Sequence, residues 1–100
     1  MFKLLMSWDI KPNREEEYYR FLVREFWPAI MKMGIQPTDA WYTAYGDYPQ
    51  ILAGGVTEDL ETMRAILESE EWHEWHERLM QYVTNYQQKV VRATGRFQMM

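Results

Sequence analysis

The opening of the chain, Phe2-Lys3-Leu4-Leu5-Met6-Ser7-Trp8-Asp9-Ile10, alternates with period two. Phe2, Leu4, Met6, Trp8 and Ile10 share one face, and Lys3, Leu5, Ser7 and Asp9 share the other, which is the pattern of a half-buried strand. Lys11-Pro12 ends it, and the periodicity changes at once. Asn13 is the expected N-cap of a helix, with Glu16 at capping-box spacing and Glu15 and Glu17 adding charge the helix dipole favours. Tyr19, Leu22, Val23, Phe26 and Ile30 form the expected apolar stripe of a helix to about Met33. Pro28 predicts a kink or a restart within it, and Gly34 its stop.

A second strand is expected over Asp39–Gly46 and a third over Gln50–Thr57, joined as an antiparallel hairpin by the Gly46-Asp47-Tyr48-Pro49 turn. Gly54 and Gly55 signal a bulge or a close backbone approach in the third strand. Thr57 is the expected cap of a helix over Glu58–Leu67. Ser69 is the expected cap of a longer one running to about Gln88, with Glu70 and Glu71 in its first turn. Val90–Gln98 is expected to close the chain as a fourth strand. The order βαββαβ predicts an α+β, ferredoxin-like domain spanning residues 1–100, a four-stranded antiparallel sheet with helices on one face only.

The 100 residues suit one domain, and an apolar content of 47% supports a real core. A net charge of −4 argues against nucleic acid and against an anionic membrane surface. With no cysteine, a disulfide scaffold and a thiolate zinc site are excluded. No signal peptide or membrane-spanning stretch is evident, so a cytoplasmic protein is expected. The uncovered sheet face carries Leu5 and hairpin aromatics. Packing two such faces together in a homodimer would bury it.

Trp8-Asp9-Ile10-Lys11-Pro12-Asn13 with Glu17-Tyr18, Trp27-Pro28 with Lys32-Met33-Gly34, and Leu67-Glu68-Ser69-Glu70-Glu71-Trp72 together resemble NIPSNAP-like domains. The resemblance covers nearly the whole chain. It implies the dimeric α+β barrel group that also holds antibiotic-biosynthesis monooxygenases and haem-degrading monooxygenases. Two ferredoxin-like subunits joined by their sheets are implied, each with a cavity between sheet and helices.

His73 and His76 are the only histidines. With Glu70, Glu74 and Glu77 beside His73, a solvated acidic face is expected rather than a metal site. His76 falls at the edge of a stripe made by Trp72, Trp75, Leu79, Tyr82, Val83 and Tyr86. There it is placed to act as acid, base or hydrogen-bond donor, or simply to pack. The monooxygenase relatives oxidise aromatic polyketides without metal or flavin. By that resemblance His76 is the catalytic candidate, and Trp8, Phe26, Trp72 and His76 are the ligand-binding candidates. The expected function is binding of a small hydrophobic or aromatic molecule, with cofactor-independent monooxygenation as its enzymatic form. The alternatives are a non-enzymatic dimeric interaction module and haem binding through His76. The haem-degrading relatives carry a tryptophan ten positions before their histidine and an asparagine in the first strand, where this chain has Ile66 and Trp8. No cofactor is therefore expected, with haem the exception to test. Ser7 and Thr94 lack a histidine–carboxylate arrangement, and Gly54-Gly55 is not a phosphate loop.

Overall fold

In the computed structural model, which describes residues 1–93, β1 (Phe2–Ile10) is an inner strand of a four-stranded sheet of order β2-β3-β1-β4. The other strands are β2 (Gln36–Tyr42), β3 (Ile51–Thr57) and β4 (Val83–Arg92), and every neighbouring pair is antiparallel. Leu4, Met6, Trp8 and Ile10 are buried, as the alternation predicts. The helical layer comprises α1 (Glu15–Phe21), a π-helical turn over Leu22–Phe26, α2 (Trp27–Met33), α3 (Leu60–Leu67) and α4 (Glu70–Leu79). The expected ferredoxin-like α+β architecture is present, with its helices on one face of the sheet.

Several boundaries differ from the sequence reading, each for a local reason. Asn13 does not cap α1; it takes a left-handed φ of 67° in the turn, and Arg14 is the N-cap without a side-chain hydrogen bond. The buried stripe lies one residue round from the expected one. Tyr18, Phe21, Leu22, Phe26 and Ile30 are buried, while Tyr19 and Val23 are exposed. The π-helical turn changes the helical phase between Leu22 and Phe26. It sits where Pro28 cannot donate to the Arg24 carbonyl and its ring would crowd it. Pro28 then lies in the first turn of α2, and Gly34 ends that helix at a φ of 115°.

β2 begins and ends earlier than expected. Pro37 is tolerated because β2 is an edge strand, and the register with β3 shifts between Pro37 and Asp39. Beyond Tyr42, the Thr43 N–H donates to the Gln50 carbonyl at 2.8 Å, and the Thr43 hydroxyl donates to the Pro49 carbonyl at 2.6 Å. Asp59, not Thr57, caps α3, accepting from the Thr62 N–H at 2.7 Å. Ser69 caps α4 as expected.

The largest correction concerns the last two elements. The helix ends at Leu79 rather than about Gln88, and β4 starts at Val83 rather than Val90. Tyr82, Val83, Thr84 and Tyr86 suit a strand as well as a helix. Pairing along the free edge of β1 decides the matter, since it satisfies two rows of backbone groups at once. The expected strand's last residues, 94–98, and Thr94 itself lie outside the described residues.

Gly55 shows why a glycine was needed in β3. A Cβ there would lie 2.5 Å from Ile35 Cγ2, and Ile35 is buried. We expect Gly55→Ala to destabilise the domain by about 1–3 kcal/mol through overpacking. A lower denaturant midpoint with an unchanged slope would establish it, and an unaltered midpoint would refute it.

Candidate functional site

The site builds outward from Trp8, near the C-terminal end of β1. Its indole is fully buried, and Nε1–H donates to the Tyr18 hydroxyl of α1 at 2.8 Å. Burial pushes the Tyr18 phenol well above the ordinary tyrosine range. Beside Trp8, β4 carries a bulge: Ser7 faces Gln87, but Asp9 already faces Thr84. Asn85 takes a φ of 55° there. Its side-chain amide donates to Asp9 Oδ2 at 2.8 Å, and the Gln50 N–H donates to Asp9 Oδ1 at 2.9 Å. These two hydrogen bonds hold the Asp9 carboxyl below its usual range. They also tie the ends of three strands together.

Tyr86 follows the bulge and stacks on Trp8, with ring centroids 5.9 Å apart and planes 8° from parallel. His76, on α4, meets the Tyr86 ring edge-on at 4.5 Å. Trp72 lies one turn earlier on α4, 6.5 Å from His76 and 6.4 Å from Phe26 of the π-helical turn. The structure thus brings Trp8, Phe26, Trp72 and His76 into one aromatic layer between sheet and helices. Trp8, Phe26 and Trp72 are buried in it, and His76 is half-buried at its rim.

Burial, with a smaller contribution from His73, lowers the His76 pKa against an opposing effect of Glu77. The imidazole is therefore predominantly neutral at pH 7 and has a lone pair available. Burial alone raises the Tyr86 phenol far above its ordinary value, so it stays protonated as a donor to Gln88 Oε1 at 2.7 Å. The layer can therefore stack an aromatic ring and exchange a hydrogen bond or proton at one edge.

Tyr18 and Tyr86 belong to this layer although the sequence pattern does not point to them as site residues. Tyr18 lies one residue off the expected stripe. The sequence pattern puts Tyr86 on one helix with His76, whereas the two meet across a turn from separate elements. On one side of the His76 imidazole, the Tyr86 and Trp8 rings fill the space.

Two surface features lie apart from this layer. A groove of about 340 Å³ runs along the open face of the sheet, lined among others by Leu5, Ser7, Trp41, Leu52 and Lys89. Across Gly54, Lys3 pairs with Asp39 at 3.2 Å, where a Cβ would lie 2.6 Å from Lys3 Cε. On the solvent side of α4, Glu70, His73, Glu74 and Glu77 line a shallow depression. No group of three or more ligating side chains among the described residues is arranged to hold a metal ion. No helix among them is long and apolar enough to cross a membrane.

No family model and no curated protein matches the chain. Solved structures do. A NIPSNAP-like domain protein from Burkholderia xenovorans is 23% identical, with a TM-score of 0.70 over 99% of this chain and 90% of that one. A NIPSNAP domain protein from the same organism is 12% identical, with a TM-score of 0.73 over 98% and 99%. An antibiotic biosynthesis monooxygenase-like protein from Deinococcus radiodurans is 14% identical, with a TM-score of 0.72 over 100% and 99%. The chain shares its fold with these NIPSNAP-domain and antibiotic biosynthesis monooxygenase-like proteins.

Two expectations follow from the aromatic layer. Tyr18→Phe leaves the Trp8 N–H buried without an acceptor and should cost about 1–3 kcal/mol in chemical denaturation; a loss below a few tenths would refute the bond's importance. The depressed native pKa of His76 gives a definite sign to pH dependence. Its contribution to stability is complete above the unfolded value of about 6.5 and is lost as pH falls from there through the native value. Wild type should therefore lose more stability than His76→Gln between pH 7 and 5. Parallel pH profiles would contradict the assignment.

Proposed function

We propose that this protein is a homodimer that binds a flat, hydrophobic small molecule between its sheet and its helices. His76, Trp8, Phe26 and Trp72 form the site. The observation that carries the reading is the place of His76, a neutral imidazole set edge-on against an otherwise apolar aromatic layer. Apolar walls with one convergent polar group suit a small aromatic ligand. The fold shared with NIPSNAP and monooxygenase-like proteins supports the same reading.

The enzymatic form of this reading is cofactor-independent oxygenation of an aromatic phenol or enol. His76 takes the acidic proton, and the resulting anion supplies the electrons that reduce dioxygen. One oxygen atom takes the place of the single hydrogen on a ring carbon ortho or para to the hydroxyl, giving a quinone, and that hydrogen and the hydroxyl proton leave with the other oxygen as water. His76 acts as the base and the aromatic side chains exclude bulk water. A non-enzymatic interaction module is the second reading. It is favoured by the complete burial of Trp8 and Phe26, which fill the space a ligand would use.

Support for the dimer comes from the open sheet face. Trp41 and Leu52 are exposed there beside Leu5, and a matching copy would bury them.

Native mass spectrometry tests the reading. We expect a dimer that retains a small molecule or takes up 2-naphthol, and a monomer for Leu52→Arg. His76→Ala should weaken uptake and abolish any oxygen consumption with a phenolic substrate. A bare dimer indifferent to 2-naphthol would favour the interaction module, and a wild-type monomer at micromolar concentration would overturn the dimer.

A further inference from the structure

The two sides of the Trp8–Tyr86 stack are held very differently. Trp8 is fixed by its bond to Tyr18, by complete burial, and by pairing with Ile51 of the inner strand β3. Tyr86 has an edge strand for its backbone and one side-chain hydrogen bond, to the exposed Gln88 two residues along the same strand. The residue before it, Asn85, lies in the left-handed region at the point where the β1–β4 register shifts. Tyr86 is also only partly buried, unlike the ring it covers. Of the two stacked rings, Tyr86 is thus the one that can leave without dismantling the core.

Its departure would open a flat slot with defined chemistry. One wall is the Trp8 indole face, already shown to accept a parallel ring by the 8° stack. The opposite rim is the His76 imidazole, which now meets the Tyr86 ring at 4.5 Å. Trp72 backs His76 at 6.5 Å. The ring that fits there is the kind that fills it now, a planar phenol.

We propose that Tyr86 is a resident plug, and that a planar phenol of one or two rings binds between Trp8 and His76 by displacing it. The proposal rests on the small-molecule reading above and deepens it, naming the subsite and the ligand class. The ligand's face replaces the phenol ring on Trp8, and its hydroxyl meets the His76 imidazole. In the free protein Tyr86 keeps the indole covered, which accounts for an aromatic layer that is closed and yet ends at a histidine.

The experiment titrates 2-naphthol into wild type, Tyr86→Ala, Tyr86→Phe and Met63→Ala, with folding checked by circular dichroism. Tyr86→Ala should bind roughly tenfold tighter than wild type, since the ligand no longer displaces a stacked ring. Tyr86→Phe, still plugged, should stay near wild type. Met63, fully buried on α3, lies outside the site, and Met63→Ala controls for non-specific cavity filling; it should show no such gain. A second measurement needs no truncation. The wild-type Tyr86 ring resonances, assigned by their absence in Tyr86→Phe, should lose the ring-current shift of Trp8 at saturation. Equal affinities for wild type and Tyr86→Ala, an equal gain in Met63→Ala, or unmoved Tyr86 resonances on saturation would overturn the plug. If wild type binds 2-naphthol with Tyr86 in place, the plug falls while the small-molecule reading stands. If no form binds it, both fall.

Discussion

Trp8 is the residue on which the two layers of this domain are joined. It lies near the end of the inner strand β1, paired with Ile51 of β3 and facing the bulge of β4. Its N–H is donated to Tyr18, which locks α1 onto the sheet at 2.8 Å. Its face carries Tyr86 and thereby fixes how the β4 bulge is filled. An indole needs an acceptor when buried, and a phenol hydroxyl in the facing helix supplies one without introducing a charge. Both groups are satisfied by each other, so the centre of the core carries polar atoms at little cost. From this pair the contacts run to Tyr86 on the Trp8 face and through Tyr86 to His76.

Much of the fold was legible in the sequence because its strongest signals were local. The alternation over Phe2–Ile10 fixes the buried face of β1 by itself, and Ser69 caps α4 where its hydroxyl and the following acidic pair predict. The readings that shifted depended on partners distant in sequence. Tyr82 to Gln88 has enough apolar periodicity to extend a helix, and only the unpaired edge of β1 makes it a strand. The apolar stripe of the first helix was out by one residue because a π-helical turn has no sequence signature beyond Pro28 downstream. Trp8, Phe26, Trp72 and His76, which the sequence singles out, do share one aromatic layer, but the pattern does not point to the two tyrosines beside them. Tyr18 is hidden by the helical phase change at a local π-helical turn, and Tyr86 by long-range strand pairing that overrides local pattern.

The two faces of the sheet have separate demands, and β1 shows how one strand meets both. Its even-numbered residues are large and apolar and fill the helix-side core. Its odd-numbered residues are Lys3, Leu5, Ser7 and Asp9, each in a different local arrangement. Lys3 bridges to Asp39 over Gly54, and Asp9 clasps Gln50 and Asn85 at the far end. Between these polar ends Leu5 and Ser7 line the apolar groove with Leu52 and Trp41. The charges of β1 are thus confined to its ends, while Lys89 of β4 places one charge opposite Leu5 on the same open face. Such an arrangement sets a register for whatever covers the face, because a shift along the strand would bury one of the polar ends against apolar surface.

The Asp9 clasp connects the two faces. Its carboxylate accepts from Asn85, the residue that makes the bulge, and the bulge is what turns Tyr86 towards Trp8 on the opposite side. The bond from Asn85 to Asp9 thus fixes the segment from which Tyr86 projects, apart from the bond that joins Trp8 to Tyr18. The helix-side layer joins Trp8, Tyr18 and Phe26, all fully buried, to Tyr86, which is partly buried at an edge-strand irregularity. His76 stands between them: its ring meets Tyr86, and Trp72 of its helix meets Phe26. Dense packing around the tryptophans and sparser packing at the edge strand follow from one rule, that a side chain is held by the neighbours that bury it.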